Sequence, residues 1–353
     1  MNIGIIGAGS IAKAHSRALS TIDNCKLVGV YDVNYENARE LVEDYDGEVF
    51  NSYEELLEVV DGIIISSPNF CHKPQAVQAL LKNKHVLVEK PMAISCEEAK
   101  YMMKIAKDTN VVAAMGFNYR YLSYIKALKS LIQNGELGEV VVIRLHFKKN
   151  SAFRRTLFTW RDDNQSNKTS GALGDLGIHL IDLLWFLFES NFREDTVRTK
   201  IKTNVKEKEK QKEKQKVFVD DYAEVYGQLT NKVFVNITTS KSSFPEDCGF
   251  SIEVIGTKKE YKYSSREPNK YITFDGLEKQ EIFLPLPLLV DPENEIFEWA
   301  DSFRNEIISW VNAAEGSSKK SIATFEDGLR SQIILDLFFN KNKRNKELSV
   351  TTI

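Results

Sequence analysis

Residues 4–12 read GIIGAGSIA. An apolar run precedes the glycines and a helical pattern follows, so Gly7, Gly9 and Ala12 form a GxGxxA arrangement at a strand-to-helix turn. Each position has its own physical reason. Gly7 permits the tight turn, Gly9 lets backbone approach a diphosphate, and Ala12 lets the helix lie close against the strand. The amides of Ser10 and Ile11 then open the helix at its positive end, where an anion is favoured. A glycine pattern alone is a weak signal, and Asp32 strengthens it. Asp32 ends the run KLVGVYD, where a carboxylate can accept from both hydroxyls of an adenosine ribose. The same charge repels a 2′-phosphate, and Val33 and Asn34 follow rather than an arginine, so NAD is expected over NADP.

Outward from this turn, short β-branched runs alternate with amphipathic stretches, the pattern of βα units in a parallel sheet. NIGIIG, KLVGVYD, GIIISSP, HVLVEK, VVAAMGF and EVVVIRLHF read as strands; ENARELVEDY, KPQAVQALLKN and CEEAKYMMKIAKD read as helices. Ser52 with Glu55 and Ser95 with Glu98 have capping-box spacing and mark two helix starts. Past about residue 120 the pattern changes. A helix, LSYIKALKSLIQNGELG, leads into EVVVIRLHFKK, and later the runs VFVDDYAEVYGQL, VFVNITTSK and FSIEVIG follow one another without helices between them. That predicts a large, open, mainly antiparallel sheet. The expected organisation is an α/β Rossmann domain over 1–120 and an α+β domain over 121–353, closed by the helix EDGLRSQIILDLFFNK.

The totals exclude several classes. Of 353 residues 42% are hydrophobic and 27% charged, and the formal net charge of −3 argues against nucleic acid or an anionic membrane as the main partner. No apolar run reaches the roughly 18–20 residues of a membrane span, and the chain starts in a strand rather than a secretory signal, so a cytoplasmic protein is expected. Cys25, Cys71, Cys96 and Cys248 are scattered without metal spacing, and neither a disulfide framework nor a metal is expected. Lys200 to Lys216, ending KEKEKQKEKQK, alternates with Glu and Gln and carries no aromatic residue; it reads as a solvated loop or hairpin tip.

Two further stretches carry chemistry. HVLVEKP ends a strand at Glu89, Lys90 and Pro91, and ligands of such sheets bind beyond the carboxyl ends of the strands. Pro91 disfavours helical geometry at Lys90 and so helps aim the ammonium. In GALGDLGIHLIDLLW, Asp175 and His179 lie one helical turn apart in an apolar helix. On spacing alone this pair reads first as a capping aspartate with a satisfied core histidine. Asp182 could support the pair or simply cap a neighbour.

GAGSIA, SSPNFCH, VEKP, GFNYRY and GDLGIHLID, in this order, resemble the glucose–fructose oxidoreductase, inositol dehydrogenase and MocA (Gfo/Idh/MocA) family over nearly the whole chain. The resemblance implies hydride transfer between NAD(P) and a sugar or cyclitol carbon, with Lys90, Asp175 and His179 at the positions of the catalytic lysine, aspartate and histidine. It implies that Ser67, Asn69 and His72, after the fourth strand, and Glu89 beside Lys90 border the cofactor, although His72 also reads as a helix-start or packing histidine. It places Tyr119 and Asn150 where inositol dehydrogenases contact substrate, Tyr119 departing from their usual arginine. Pairing through the C-terminal sheet into a homodimer or homotetramer is also implied.

HFKKNSAFRRTLFTWRDD, residues 146–163, gathers Lys148, Lys149, Arg154, Arg155 and Arg161 with Asn150 and Trp160. A phosphate or carboxylate on the substrate explains such cationic density, because guanidinium forks bind oxyanions bidentately; solvated loop charge is the alternative. A sugar phosphate bound through Lys148, Arg154 and Arg155, with Trp160 alongside, is therefore expected. A dehydrogenase of inositol or an unphosphorylated sugar, and an NAD-dependent sensor without turnover, stay open.

Overall fold

A computed structural model describes residues 1–163, 169–291, 296–316 and 322–350. In chain order the first elements are β1 (Asn2–Ile6), α1 (Ser10–Leu19), β2 (Lys26–Tyr31), α2 (Tyr35–Asp44), β3 (Glu48–Val49), α3 (Tyr53–Val59), β4 (Gly62–Ile65), α4 (His72–Leu81), β5 (His85–Glu89), α5 (Cys96–Lys107) and β6 (Ala113–Gly116). There follow α6 (Ser123–Gln133), β7 (Val140–Lys148), α7 (Ser151–Arg154), α8 (Ile178–Phe188), β8 (Arg198–Lys202), β9 (Glu207–Lys210), β10 (Glu213–Lys216), β11 (Tyr222–Gln228) and β12 (Phe234–Ser240). β13 (Gly249–Gly256), β14 (Lys259–Ser264), β15 (Lys270–Asp275), β16 (Glu278–Phe283), α9 (Trp299–Ala314) and α10 (Phe325–Val350) complete the described chain.

The chain divides into two compact units. The first holds Met1–Tyr121, Leu288–Asp291 and Glu298–Gln332; the second holds Leu122–Pro287, Pro292–Phe297 and Ile333–Ile353. In the first, six parallel strands run in the order β3-β2-β1-β4-β5-β6, the doubly wound order in which ligands sit beyond the strand ends at the β1/β4 reversal. Ile3, Ile5, Ile63, Ile64, Ile65 and Leu87 are fully buried, as strands covered on both faces require. Asn34, Ser52 and Ser95 cap α2, α3 and α5 by accepting from backbone amides in the first turn, each contributing about 1 kcal/mol.

Beyond a single division near residue 120, the first unit also takes Leu288–Asp291 and Glu298–Gln332, which bring in the start of α10 and the whole of α9. Its Phe303, Ile307, Trp310 and Val311 repeat at helical spacing and join the same core as Ile3, Leu19 and Val30. Burial of that stripe, not chain order, decides which unit the helix stabilises.

The second unit is built on an eight-stranded sheet in the order β16-β15-β14-β13-β7-β12-β11-β8. Its one parallel pairing is β7 with β12; the others are antiparallel. β13 shows the one-sided alternation expected, with Phe250, Ile252 and Val254 buried between half-exposed neighbours.

The lysine-rich segment is ordered. Thr203 to Asp221 holds the two-stranded hairpin β9–β10, and its turn residues Gln211 and Lys212 both take the left-handed conformation (φ +52° and +68°) that a two-residue hairpin loop favours. Most of its charges are solvated, but Lys208 is 5% exposed.

Candidate active site

In the first unit the glycine turn is defined by close approach on one side and open space on the other. Gly7 has φ +92°, and a Cβ there would sit 2.6 Å from the Ser67 amide nitrogen. Its own N–H donates to the Tyr31 carbonyl at 2.7 Å. A Cβ on Gly9 would meet nothing within 4 Å, and Gly9 opens α1 with no side-chain cap. The helix therefore begins with free amides beside an unfilled surface, which fits a diphosphate there. Asp32 stands just beyond β2. Its Oδ2 accepts from the Ala8 amide at 2.7 Å and its Oδ1 from Asn34 at 2.8 Å, so the carboxylate also braces the glycine turn.

The ends of β4 and β5 meet through His72. Nδ1 lies 2.9 Å from the Pro91 carbonyl and Nε2 2.9 Å from the Ser67 carbonyl, and the residue is 1% exposed. Burial lowers its pKa, against the pull of those two carbonyls. Lying between those two carbonyls, His72 links the two strand ends, the packing role its sequence also suggests. Ser67 donates to Gln75 at 2.6 Å, and Asn69 is buried at the start of a short 3-10 turn. Glu89, at the end of β5, is tied to α1. Its Oε1 lies 2.8 Å from His15 Nε2 on α1, both groups buried, and Oε2 accepts from the Lys90 amide at 3.2 Å. Lys90, half-buried at the strand end, precedes a cis proline bond. Cys71 lies near this turn, and burial raises its thiol pKa, which disfavours the thiolate.

GFNYRY closes the first unit. Tyr119 is buried, Asn118 donates to Ser302 at 2.7 Å, and buried Arg120 pairs with Asp327 at 3.3 Å. Burial opposes ionisation of Asp327, but Arg120, the Thr324 amide and Arg330 together hold its carboxyl below the ordinary value.

In the second unit Asp175 lies within a π-helical turn, Leu173–Gly177, that runs directly into α8, where the sequence predicts plain α-helix. Such wider turns recur at functional sites because they re-aim side chains. His179 and Asp182, both on α8, are buried. Asp175 Oδ2 accepts from Lys241 at 2.7 Å, and that ammonium also donates to the Ser170 carbonyl at 2.8 Å.

The basic stretch separates into two environments. Lys148 ends β7 half-buried, Asn150 precedes α7, and Arg154 ends α7 exposed. Trp160 stacks under the Arg161 guanidinium, 4.2 Å from ring to charge. Arg155 turns instead, with Arg161, Lys208 and Lys241, toward a hollow of about 10 Å³ shared with Asp162 and Asp220. That is room for about one water, and Arg155, half-buried, stands beside a charge network whose Lys208–Asp162 pair is buried. Lys208, Asp220 and Lys241 are members the sequence reading missed. They come from three separate segments, and in sequence Lys208 is one lysine among many. Among the described residues no group of three or more His, Cys, Asp or Glu could hold a metal ion.

Residues 1–117 match the NAD-binding Rossmann-fold model of the GFO_IDH_MocA oxidoreductase family, and residues 129–351 match its C-terminal alpha/beta domain. The chain belongs to the Gfo/Idh/MocA family. It is 58% identical, over 99% of both chains, to the glucose-6-phosphate 3-dehydrogenase of Bacillus subtilis strain 168. The D-glucoside 3-dehydrogenase of Escherichia coli K12 is 31% identical over 53% of this chain and 54% of its own. A levoglucosan dehydrogenase solved with NADH and levoglucosan has the same fold, with a TM-score of 0.87 at 22% identity over 98% of this chain and 97% of that one. This family member is an NAD-dependent oxidoreductase acting on a sugar CH–OH group. No described helix is long and apolar enough to cross a membrane.

Proposed function

We propose that the enzyme oxidises the C3 hydroxyl of D-glucose 6-phosphate to 3-dehydro-D-glucose 6-phosphate. The observation that carries this is the 58% identity, end to end, with a glucose-6-phosphate 3-dehydrogenase. PNFCHK, FNYRYLSY, FTWRDD, GDLGIHLIDL and PEDCGFSIEV in this chain resemble the kanosamine-pathway enzyme of that activity, and a 3-keto sugar phosphate is the electrophile an aminotransferase needs.

NAD, when bound, supplies the acceptor for the hydride that leaves C3. The chain must then remove the hydroxyl proton and stabilise charge on oxygen. His179 is assigned as the base, because imidazole titrates near working pH. Asp175 orients the imidazole or holds a neighbouring sugar hydroxyl. Lys90 donates to the reacting oxygen as alkoxide character develops. Gly7, Gly9, Ser10, Ile11 and Asp32 are assigned to NAD, with Ser67 and Asn69 at the rim. Tyr119, Asn150 and Trp160 are assigned to the sugar, and Lys148 and Arg154 to its phosphate. Association of copies through the outer face of the eight-stranded sheet, as homodimer or homotetramer, belongs to the same reading.

Fluorescence of NADH formed with glucose 6-phosphate, glucose and myo-inositol, side by side, tests the assignment. Turnover is expected with the first and lost in His179→Ala. Arg154→Ala should raise KM for the phosphorylated sugar about tenfold or more with kcat nearly kept, the loss of one charge-assisted contact. A preference for myo-inositol or free glucose overturns the substrate, and no turnover with any of them points to a sensor.

A further inference from the structure

Asp175 and the cation that holds it come from distant parts of the second unit. Lys241 follows β12 directly, and its backbone is fixed on both sides: its N–H donates to the Asp221 carbonyl and its carbonyl accepts from Ala152, both at 2.7 Å. Its side chain is 5% exposed, that of Asp175 36%. One end of the ion pair is thus anchored in protein and the other opens outward.

The charged groups facing Asp175 come from three elements. Lys241 touches it at 2.7 Å, Arg161 in the 3-10 turn Trp160–Asp162 lies within electrostatic reach, and His179 follows one turn along α8. On its far side Lys241 also feels Asp220, whose Oδ2 accepts from the Leu173 amide at 2.8 Å, at the mouth of the π-turn. The start of the turn and its carboxylate are therefore tied to one buried ammonium.

We propose that Lys241 is a positioning residue for the reaction: it fixes the direction of the Asp175 carboxylate and favours its charged form, so that the carboxylate is presented to the imidazole or the sugar in one orientation. A buried ammonium at a strand end moves little, so the carboxylate it holds is presented in one orientation. The inference rests on the assignment of Asp175 and His179 above and names what that assignment needs from the rest of the chain.

Steady-state kinetics with NAD and glucose 6-phosphate test it in wild type, Lys241→Met, Lys241→Arg, Asp175→Asn and the Asp175→Asn/Lys241→Met double variant. Lys241→Met is expected to lower kcat about a hundredfold with KM for the sugar nearly unchanged. The acid limb of its kcat/KM profile should move to higher pH, because a carboxylate without its cation takes up a proton more readily. Lys241→Arg keeps a charge and should leave that limb in place. In the Asp175→Asn background Lys241→Met should change kcat less than about threefold, since it acts through Asp175.

A Lys241→Met enzyme with wild-type kcat, an unmoved acid limb, or losses that multiply in the double variant overturns the inference. The double variant removes both members of the Asp175–Lys241 pair, so Asp175 is not left charged without its cation, and it carries the test if Lys241→Met does not fold; a kcat more than about tenfold below Asp175→Asn then counts against it. Full turnover in Asp175→Asn overturns the site assignment as well, whereas an inactive Asp175→Asn beside an undisturbed Lys241→Met overturns only this inference.

Discussion

The glycine turn of the first unit and the charged hollow of the second both fix functional groups, with different materials. At the turn the work is done by backbone. Gly7 takes a conformation closed to other residues, Gly9 leaves space, and Asp32 holds the Ala8 amide. Around Asp175 side chains do it: Lys241, Lys208, Asp220 and the adjacent Arg161 and Asp162 come from four segments and meet around one small hollow. A backbone site is local and tolerates little at a few positions. A side-chain network is long-range, and each member's removal strands a partner.

Replacing Gly7 by Val should break the contrast most sharply. It forces a β-branched residue to φ +92° against the Ser67 backbone, and the expected result is loss of soluble folded enzyme or destabilisation by more than about 3 kcal/mol. Gly9→Val, two residues on, should leave the urea midpoint within about 0.5 kcal/mol of wild type yet weaken NAD binding about tenfold or more, because its Cβ points into open space. Equal effects on stability in the two variants would erase the distinction between close approach and open space.

Next in size is the buried pair Lys208–Asp162, 2.7 Å apart with both side chains 3% exposed. Lys208→Met leaves Asp162 buried without its cation, and denaturant unfolding should show a loss of about 3–5 kcal/mol. The exposed pair Arg39–Glu36 on α2 is the internal control, worth under about 1 kcal/mol. Matching losses at the two sites would show that the hairpin lysine is not anchored as the geometry indicates.

The smallest effect concerns Asp220. Burial first of all, opposed by the Leu173 amide and Lys241, pushes its pKa from the ordinary 3.8 up to about 6. Between about pH 4 and 6 the folded chain holds a proton that the unfolded chain has released, so this group makes stability fall as pH rises through that window. Asp220→Asn keeps an acceptor for the Leu173 amide and removes the titration. Unfolding free energies measured across the window should lose a downward slope on the order of 1–3 kcal/mol; an unchanged slope would show that Asp220 titrates normally.

The same contrast explains what could be read in advance. β1, β2, β4, β5 and β6 are largely buried runs bounded by turn residues, so hydrophobicity alone outlines them, and β7 shows through its run of β-branched residues. The glycine turn and Asp32 are local in sequence, and spacing points to them; Lys90, Asp175 and His179 stand in short motifs whose family resemblance, not spacing, singles them out. β14, β15 and β16 read KEYKYS, KYITFD and EKQEIF; β14 alternates only through Tyr261 and Tyr263, and toward the sheet edge β16 is mostly exposed and shows no alternation. α9 has a legible apolar stripe but nothing in it says which unit the stripe will cover. His15 with Glu89, Arg120 with Asp327 and Lys208 with Asp162 are pairings across long separations. Composition gives each partner, and only the fold gives the pair.

The hairpin β9–β10 carries one more implication. The stretch from Lys206 is nearly a repeating polymer of Lys, Glu and Gln, and such a strand could slide along its partners with little change in solvated charge. Around it, Phe158 donates to the Glu209 carbonyl and Glu209 to Thr156, so the strand also zips to the segment before Trp160. Slippage by one residue would turn Glu207 or Glu209 toward Asp162 and set two anions face to face away from water. A single inward lysine thus acts as the index mark on an otherwise blank ruler: drift in length or charge elsewhere along the hairpin is harmless, provided the count from Lys208 to the Gln211–Lys212 turn is kept.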